Sequence, residues 1–227
     1  MANIAPAPSF YPRRISEYVP AMRYSADVNH FGPTRISFGA PAVADPDGIL
    51  DGTSIATAST VVAAGMLLSE MDAPYGRNIT VVASGTATSN VTIHSLDYLG
   101  QPMSESFTLT SGTPVVGVKA HKTLLSIVLG ATSGMTVDIG PGTKLGLPYA
   151  AQNCLFETTD GAKVAAGTLT LPVLTDPQTA ITGDPRGLYV PTTTPDGAKV
   201  LTAVFDFTND VNASNHGGLH GIAHFSA

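Results

Sequence analysis

The sequence predicts an all-β protein with antiparallel sheets, arranged as a sandwich or a barrel. From residue 77 onward, short runs rich in Val, Ile and Thr follow one another at regular spacing, separated by Gly, Pro, Ser and Asn. This pattern is typical of strands joined by tight turns. No amphipathic helical segment of convincing length alternates with the runs, which disfavours a parallel α/β sheet. The 227 residues are enough for one all-β domain with a substantial core.

Residues 1–50 are predicted to form an extended N-terminal arm. Seven prolines, at positions 6, 8, 12, 20, 33, 41 and 46, exclude a long helix in this range. Two interpretations stay open: a disordered tail, or an arm that becomes ordered on a partner or a neighbouring subunit. Tyr and Arg are typical interface anchors and favour the second interpretation. The predicted partner-contacting residues are Tyr11, Arg13, Arg14, Tyr18, Arg23 and Tyr24.

Residues 51–227 are predicted to form the β-sandwich body, with an elaboration or a second lobe after residue 150. The segment 59–70 fits a short helix or a buried strand equally well. After it, the predicted strand runs are NITVVASG, NVTIHSLDY, ESFTLTSG, TPVVGVKAHK, LLSIVLGA, MTVDIG and KLGLPY. The later part is richer in loops and prolines. Its clearest strand is KVLTAVFDFT, in which Leu201, Ala203, Phe205 and Phe207 share one face.

A His, two acids and several hydroxyls lie close together in the segment 91–109, VTIHSLDYLGQPMSESFTL. Alternation of apolar and polar residues on both sides of DYLGQP predicts two strands and a tight turn, because Gly100 and Pro102 supply turn geometry. His94, Asp97 and Glu105 are the candidate catalytic residues of this hairpin. A catalytic triad also needs a nucleophile within hydrogen-bond reach and an oxyanion site. The spacing supplies neither, so the segment is interpreted as a hairpin, and no enzyme is predicted.

Three histidines recur every four residues at the C-terminal end, in NHGGLHGIAHFSA. His216, His220 and His224 would share one face of a helix or of a strand, and three imidazoles suit zinc or nickel. However, the glycines between them make a helix costly, and residues four apart on a strand are about 13 Å apart, too far for one ion. They are therefore weak candidates for a metal site, and no metal or cofactor is predicted. Cys154, the one cysteine, is interpreted as a small buried residue.

Composition and charge exclude several classes of partner. The net charge of −6 disfavours a nucleic-acid binder, which needs a basic surface. The charge is uneven: residues 1–35 carry four arginines and two acids, whereas the rest carries 7 basic and 15 acidic residues. A single cysteine excludes an intrachain disulfide, and no apolar run predicts a signal peptide or a membrane span. Charged residues are only 12% of the chain, and a surface rich in Thr and Ser suits contact with neighbouring proteins.

The segment 77–149 resembles virion proteins of tailed bacteriophages, namely capsid decoration, or cement, proteins. The resemblance is carried by RNITVVASG, NVTIHSLDYLGQPMSE and the closing GLPY, and it covers about a third of the chain. It implies a jelly-roll-like β-sandwich, often a homotrimer, that sits on the outer surface of the shell of major capsid protein. The implied role is to hold the shell together against the pressure of packaged DNA.

The resemblance brings no catalytic residue and no cofactor, and it implies a protein made in the bacterial host cytoplasm and located in the virion. The arm and the residues after Ala150 lie outside the matched segment. From the opposite charges of arm and body, we expect the arm to lie along a neighbouring subunit. The alternative function is a tail, collar or head-fibre accessory protein that binds host glycans.

Overall fold

The computed structural model describes residues 33–54, 58–61, 71–85, 88–110, 112–131, 135–173 and 183–207. Within these residues all regular structure is β, and every strand pairing is antiparallel. The all-β prediction is therefore confirmed. The strands are β1 Thr34–Gly39, β2 Leu50–Thr53, β3 Ser59–Val61, β4 Arg77–Ser84, β5 Ser89–Leu96, β6 Pro102–Leu109, β7 Val115–Val116, β8 Thr123–Leu129, β9 Thr136–Gly146, β10 Ala151–Thr159, β11 Ala162–Val164, β12 Thr168–Thr170, β13 Leu188–Val190 and β14 Leu201–Phe207.

The strands form three sheets. Sheet A has the order β1-β14-β10-β11, sheet B the order β12-β13-β9-β4-β7 with β2 also on β9, and sheet C the order β3-β8-β5-β6. Inward-facing residues of β4, β5, β6, β8 and β9 make one core cluster, which fills the space between sheets B and C as in a β-sandwich. A second cluster joins β1, β10, β13 and β14 to the far end of β9.

Strand β9 belongs to both cores. Val137 and Ile139 lie in the first cluster, whereas Leu145 lies in the second. The strand continues through Gly140-Pro141-Gly142 and so joins MTVDIG and KLGLPY, which the sequence pattern predicts as two separate runs. The chain tolerates a proline here because the pairing with β4 is irregular at this point: Ile79 lies opposite Pro141, but Arg77 lies opposite Leu145. Residues 142–144 therefore bulge out of the ladder.

Most of the other predicted strands are present in the structure. The runs at β4, β5, β6, β8 and β14 are confirmed, and Leu201, Ala203 and Phe205 are buried on one face. The run TPVVGVKAHK forms only the short strand β7, and Ser59–Val61 of the ambiguous segment 59–70 is strand. Part of the range interpreted as an arm is also strand, because β1 pairs with β14 along Thr34–Gly39.

Candidate functional site

The turn that carries the DYLGQP motif is closed by its own aspartate. Asp97 Oδ1 accepts hydrogen bonds from the backbone N–H groups of Leu99 and Gln101, both at 2.8 Å. The Asp97 backbone donates to the Gln101 carbonyl at 2.9 Å, and Gly100 adopts the left-handed conformation that lets the chain reverse. The hairpin of β5 and β6 predicted from the sequence is therefore confirmed, with Ser89 to Leu96 paired to Leu109 to Pro102.

The second oxygen of this aspartate binds a residue far along the chain. Arg186 Nη2 lies 2.8 Å from Asp97 Oδ2, and both side chains are buried. The Arg186 guanidinium also lies 4.9 Å from the centre of the Tyr98 ring. A buried ion pair is stable only when both charges are well paired, so this contact fixes the segment 183–187 against the hairpin turn.

Tyr98 of the same motif binds the closing GLPY motif. Its hydroxyl donates to the Pro148 carbonyl at 2.6 Å, and its ring meets that of Tyr75 edge to face, with 5.3 Å between centroids. Burial raises the pKa of Tyr98 to about 12, although the Arg186 guanidinium acts in the opposite direction. Burial also raises the pKa of Tyr75. We call Tyr75, Asp97, Tyr98, Pro148 and Arg186 the motif cluster.

The beginning of the matched segment, Arg77-Asn78, holds the bulge of β9. Arg77 Nε donates to the Gly142 carbonyl at 3.0 Å, and Asn78 Oδ1 accepts from the Lys144 backbone at 2.8 Å. Arg77 is fully buried and also pairs with Asp72 at 3.1 Å. The two side chains thus replace the ladder hydrogen bonds that the bulge loses.

A line of three polar side chains runs through the interior beside the motif cluster. Ser95 Oγ lies 2.7 Å from His121 Nδ1, and His121 Nε2 lies 2.7 Å from Glu105 Oε2. Glu105 Oε1 also accepts from the Val118 backbone at 2.5 Å. The backbone of His121 pairs with that of Arg77 in sheet B, whereas Ser95 and Glu105 belong to sheet C. The Ser95–His121–Glu105 line therefore joins the two sheets of the sandwich.

The types of residue in this line are those of a nucleophile, a base and an acid. A catalytic triad, however, must present its nucleophile to a substrate carbonyl beside an oxyanion site. The exposed fractions of Ser95 and His121 are 0%, and that of Glu105 is 2%. In this conformation the line makes internal hydrogen bonds and connects strands, which is the usual role of a fully satisfied buried network.

The candidate catalytic residues from the sequence do not come together. His94 is exposed on β5, opposite Ser104 and Ser126 of the neighbouring strands. Asp97 binds Arg186, and Glu105 binds His121. His94 and Glu105 point to opposite faces of sheet C, as expected from the alternation along paired strands.

Asp184 fixes the segment 183–187 from its other side. Its carboxylate accepts from the backbone of Ala120 at 2.9 Å and from the backbone of Arg186 at 2.8 Å. Burial raises the pKa of Asp184, and the nearby Arg186 and these two hydrogen bonds oppose the shift. Together with Asp97–Arg186, these bonds join the chain after residue 150 to the matched segment.

Cys154 lies half-buried against the second core cluster. Its Sγ is 3.5 Å from the Tyr189 hydroxyl, which in turn donates to Glu157 Oε2 at 2.8 Å. Burial raises the pKa of the Cys154 thiol. A raised pKa keeps the thiol protonated and unreactive at neutral pH, which agrees with a structural role.

The described part of the chain includes two surface cavities. One, of about 260 Å³, is bounded by residues of 42–49 together with Met71, Asp72, Arg77 and Leu124. In its wall, the hydrogen bond that the protonated Asp45 carboxyl donates to the Asp47 carboxylate raises the pKa of Asp45. The other, of about 280 Å³, lies on the outer face of sheet A between Arg35 and Phe156.

The remaining predicted residues lie outside the described part of the chain. They are the arm residues Tyr11, Arg13, Arg14, Tyr18, Arg23 and Tyr24, and the histidines His216, His220 and His224. Among the described residues, no group of three or more His, Cys, Asp or Glu side chains is arranged to hold a metal ion. The described residues also contain no helix that is long and apolar enough to span a bilayer.

Sequence reasoning missed His121 and Arg186 as partners of the hairpin. One signal was available for Ser95, because it shares the inward face of β5 with Val91 and Ile93, where a hydroxyl needs a buried partner. Nothing local to VKAHK or GDPRG identifies those partners, since both contacts depend on the packing of distant segments.

No family model, no curated protein and no solved structure matches this chain.

Proposed function

We propose that this protein is a capsid decoration protein of a tailed bacteriophage, which binds the outer surface of the shell of major capsid protein and stabilises it. The proposal rests on the resemblance of the segment 77–149 to such proteins. In this function the body supplies contact area, and many weak contacts repeated around a closed shell give high avidity.

The observation that carries the proposal is that the separate parts of the resemblance meet in space. Tyr98 of DYLGQP binds Pro148 of GLPY at 2.6 Å. Arg77-Asn78, at the start of RNITV, holds the bulge in the strand that leads to GLPY. These motifs are distant in the sequence but contact one another in the structure. Their contact supports a resemblance of one structural unit rather than of scattered short motifs.

A protein that clamps a shell must resist deformation itself. The interior of this body is joined across its sheets by Arg186–Asp97 and by the Ser95–His121–Glu105 line. Hydrogen-bonded buried networks specify one arrangement of the strands and resist sliding between sheets. A body of this kind transmits load between its contacts, which supports a clamping role.

Cosedimentation tests the proposal directly. Purified protein is mixed with undecorated shells of the cognate major capsid protein and centrifuged. We expect saturable binding in a fixed ratio to capsid subunits, and decorated shells that withstand higher temperature before disruption. Protein that stays in the supernatant at every shell concentration would contradict the proposal.

The proposed assembly is a homotrimer, with the arm lying along a neighbouring subunit. Size-exclusion chromatography with light scattering measures its mass. A mass of three chains in solution supports a preformed trimer. A single-chain mass in solution, together with single chains bound on the shell, would contradict the trimer.

A second candidate function is a tail, collar or head-fibre accessory protein that binds host glycans. The groove on sheet A favours it, because an aromatic ring, Phe156, lies in a surface cavity. A carbohydrate array distinguishes the two functions, since a protein that acts only as a clamp binds no glycan on it.

A further inference from the structure

Two cations of this protein have no carboxylate or carbonyl among their described contacts. The structure describes eight of the eleven basic side chains. Six of them contact a carboxylate or a backbone carbonyl: Arg77, Lys119, Lys122, Lys144, Arg186 and Lys199. Arg35 instead donates to the Thr202 hydroxyl at 3.3 Å, and Lys163 lies 5.0 Å above the Phe156 ring. Neither contact neutralises a positive charge, although the chain as a whole is acidic.

These two cations lie on the same face of the same sheet. Arg35 on β1 pairs with Val204 on β14, which pairs with Phe156 on β10. One row further along, Thr202 pairs with Thr158, which pairs with Lys163 on β11. Residues directly opposite each other point to the same side of a sheet, so Arg35 and Lys163 stand at the two edges of one surface, with backbones about 16 Å apart across three strand spacings and one two-residue offset.

A groove of about 280 Å³ lies between them, lined by Arg35, Phe156, Thr158, Gly161, Thr202 and Val204. Its floor is the buried Thr202, whose Oγ1 accepts from Arg35 at 3.3 Å and from Thr158 at 3.0 Å. A hydroxyl that accepts twice still has its own proton to donate. The groove therefore combines one cation, Arg35, two hydroxyls and an apolar wall made by Phe156 and Val204, and Lys163 lies beside it over the Phe156 ring.

We propose that this groove binds an acidic sugar unit, a single ring that carries a carboxylate. The Arg35 guanidinium binds the carboxylate by charge-assisted hydrogen bonds, and Lys163 adds a second positive charge. Thr158 and Thr202 exchange hydrogen bonds with ring hydroxyls, and Phe156 packs on the apolar face of the ring. The volume is slightly below that of pockets for drug-sized molecules, which suits one ring better than an extended acidic peptide.

The inference does not depend on the capsid role, because a shell protein and an accessory fibre can each carry such a groove. If the protein binds shells but no acidic sugar, only this inference fails. If it binds the sugar but no shells, the proposed function fails and the glycan-binding alternative gains support.

The first experiment titrates the ¹⁵N-labelled full chain with D-glucuronate and follows its amide NMR signals. We expect millimolar binding, with shifts concentrated at β1, β10, β11 and β14. D-glucuronamide, the same ring with a neutral amide, is the matched ligand and is expected to bind about tenfold more weakly, as the loss of a charge-assisted hydrogen bond predicts. Equal binding of both sugars, or no shift at tens of millimolar glucuronate, overturns the proposal.

L-Glutamate tests whether the ring matters. It carries a carboxylate without a sugar ring, and we expect it to bind clearly more weakly than glucuronate. Glutamate that binds as tightly as glucuronate at the same signals would indicate a site for acidic side chains of a protein, and would overturn the assignment to a sugar.

Variants identify the groups that bind. Arg35→Gln, at an exposed position, should weaken glucuronate binding about tenfold, and Lys163→Gln should weaken it by a smaller factor. Lys199→Gln is the matched control, since it removes one exposed positive charge outside the groove and should leave the affinity unchanged. If Lys199→Gln weakens binding as much as Arg35→Gln does, the attraction is general electrostatics and the site is wrong. Circular dichroism of each variant shows that the fold is intact.

Discussion

At the scale of single residues, this protein buries charge although few of its residues are charged. Arg77, Asp97, Glu105, Lys119 and Arg186 are almost fully buried, and each makes polar contacts within the protein. A buried charge is tolerated only when it is paired and hydrogen-bonded. Removal of one partner leaves the other uncompensated, so these positions are expected to be far more sensitive than their exposed neighbours.

Two histidines provide a matched test of this sensitivity. His121→Ala removes the centre of the Ser95–His121–Glu105 line and leaves Ser95 and Glu105 without that partner. We expect a loss of about 2–4 kcal/mol in the free energy of unfolding, because a buried ring is deleted and a buried carboxylate loses a hydrogen bond. His94→Ala, at an exposed site of β5, should change stability by less than about 0.5 kcal/mol. Urea denaturation measures the free energy of unfolding of both variants. Equal losses would mean that the Ser95–His121–Glu105 line does not stabilise the fold.

Tyr98 provides a test that depends on pH. Its pKa of about 12 in the folded protein exceeds the ordinary value of 10.0, so folding favours the protonated phenol. The stability that this group contributes is thus complete below pH 10 and is lost as the pH rises through 12. Tyr98→Phe removes the bond to Pro148 and should cost about 1 kcal/mol at neutral pH.

Ultraviolet absorbance of the phenolate reports the titration. In Tyr98→Phe, the absorbance change around pH 12 should be smaller by the contribution of one tyrosine. Circular dichroism shows over which pH range the protein stays folded. If Tyr98→Phe instead loses absorbance change near pH 10, the Tyr98 hydroxyl is not held as described.

At the scale of elements, the bulge in β9 depends on a glycine. A Cβ added at Gly142 would lie 2.4 Å from Asn78 Oδ1, the atom that accepts from the Lys144 backbone. Asn78 cannot move aside without losing that hydrogen bond. We therefore expect Gly142→Ala to destabilise the protein by about 1–3 kcal/mol. Thr143→Ala, at the exposed neighbouring position, is the control and should be near neutral. Thermal unfolding compares the two variants, and similar melting temperatures would contradict the close packing of Asn78 on β9.

Local pattern was sufficient to predict the strands that have one buried and one exposed face. Val91 and Ile93 alternate with Thr92 and His94 on β5, and this strand is where the pattern places it. On β14, Leu201, Ala203 and Phe205 share the buried face that the pattern predicts. The pattern failed at the Gly-Pro-Gly of β9, which reads as a break. Side chains of β4 satisfy the bulge there, and that compensation involves residues about 65 positions apart.

The candidate site was less predictable than the strands. The turn at Asp97 could be predicted, because Asp and Gly in a short connection between strands indicate their own local geometry. Its partner Arg186 lies 89 positions away, and only the packing of the segment 183–187 on the hairpin brings the two together. The groove on sheet A has the same origin, since Arg35, Phe156 and Thr202 come from three strands that are not consecutive.

At the scale of the whole molecule, the Asp97–Arg186 pair joins the residues after 150 to the segment that carries the resemblance. Asp97→Asn and Arg186→Gln should each cost about 3–5 kcal/mol, because each removes one charge of a buried ion pair. The double variant should cost less than the two single losses together, by at least about 1 kcal/mol. Urea denaturation of all four proteins gives this coupling energy. Strict additivity would show that the two side chains do not stabilise each other.

Deletion of residues 2–32 tests whether this segment is needed for association but not for folding. All three sheets are built from described residues that begin at Pro33, and β1 begins at Thr34. A deletion must therefore stop at residue 32, since removal of residues up to 35 would shorten β1 and weaken its pairing with β14. We expect deletion of residues 2–32 to leave the melting temperature nearly unchanged, because the residues of the two core clusters, from Ile36 onward, pack against one another. The same deletion should reduce self-association and binding to capsid shells, because it removes Tyr11, Arg13, Arg14, Tyr18, Arg23 and Tyr24. Light scattering and cosedimentation measure these losses. A truncated protein that associates as well as the full chain would assign the contacts to the β body and contradict the role proposed for the arm.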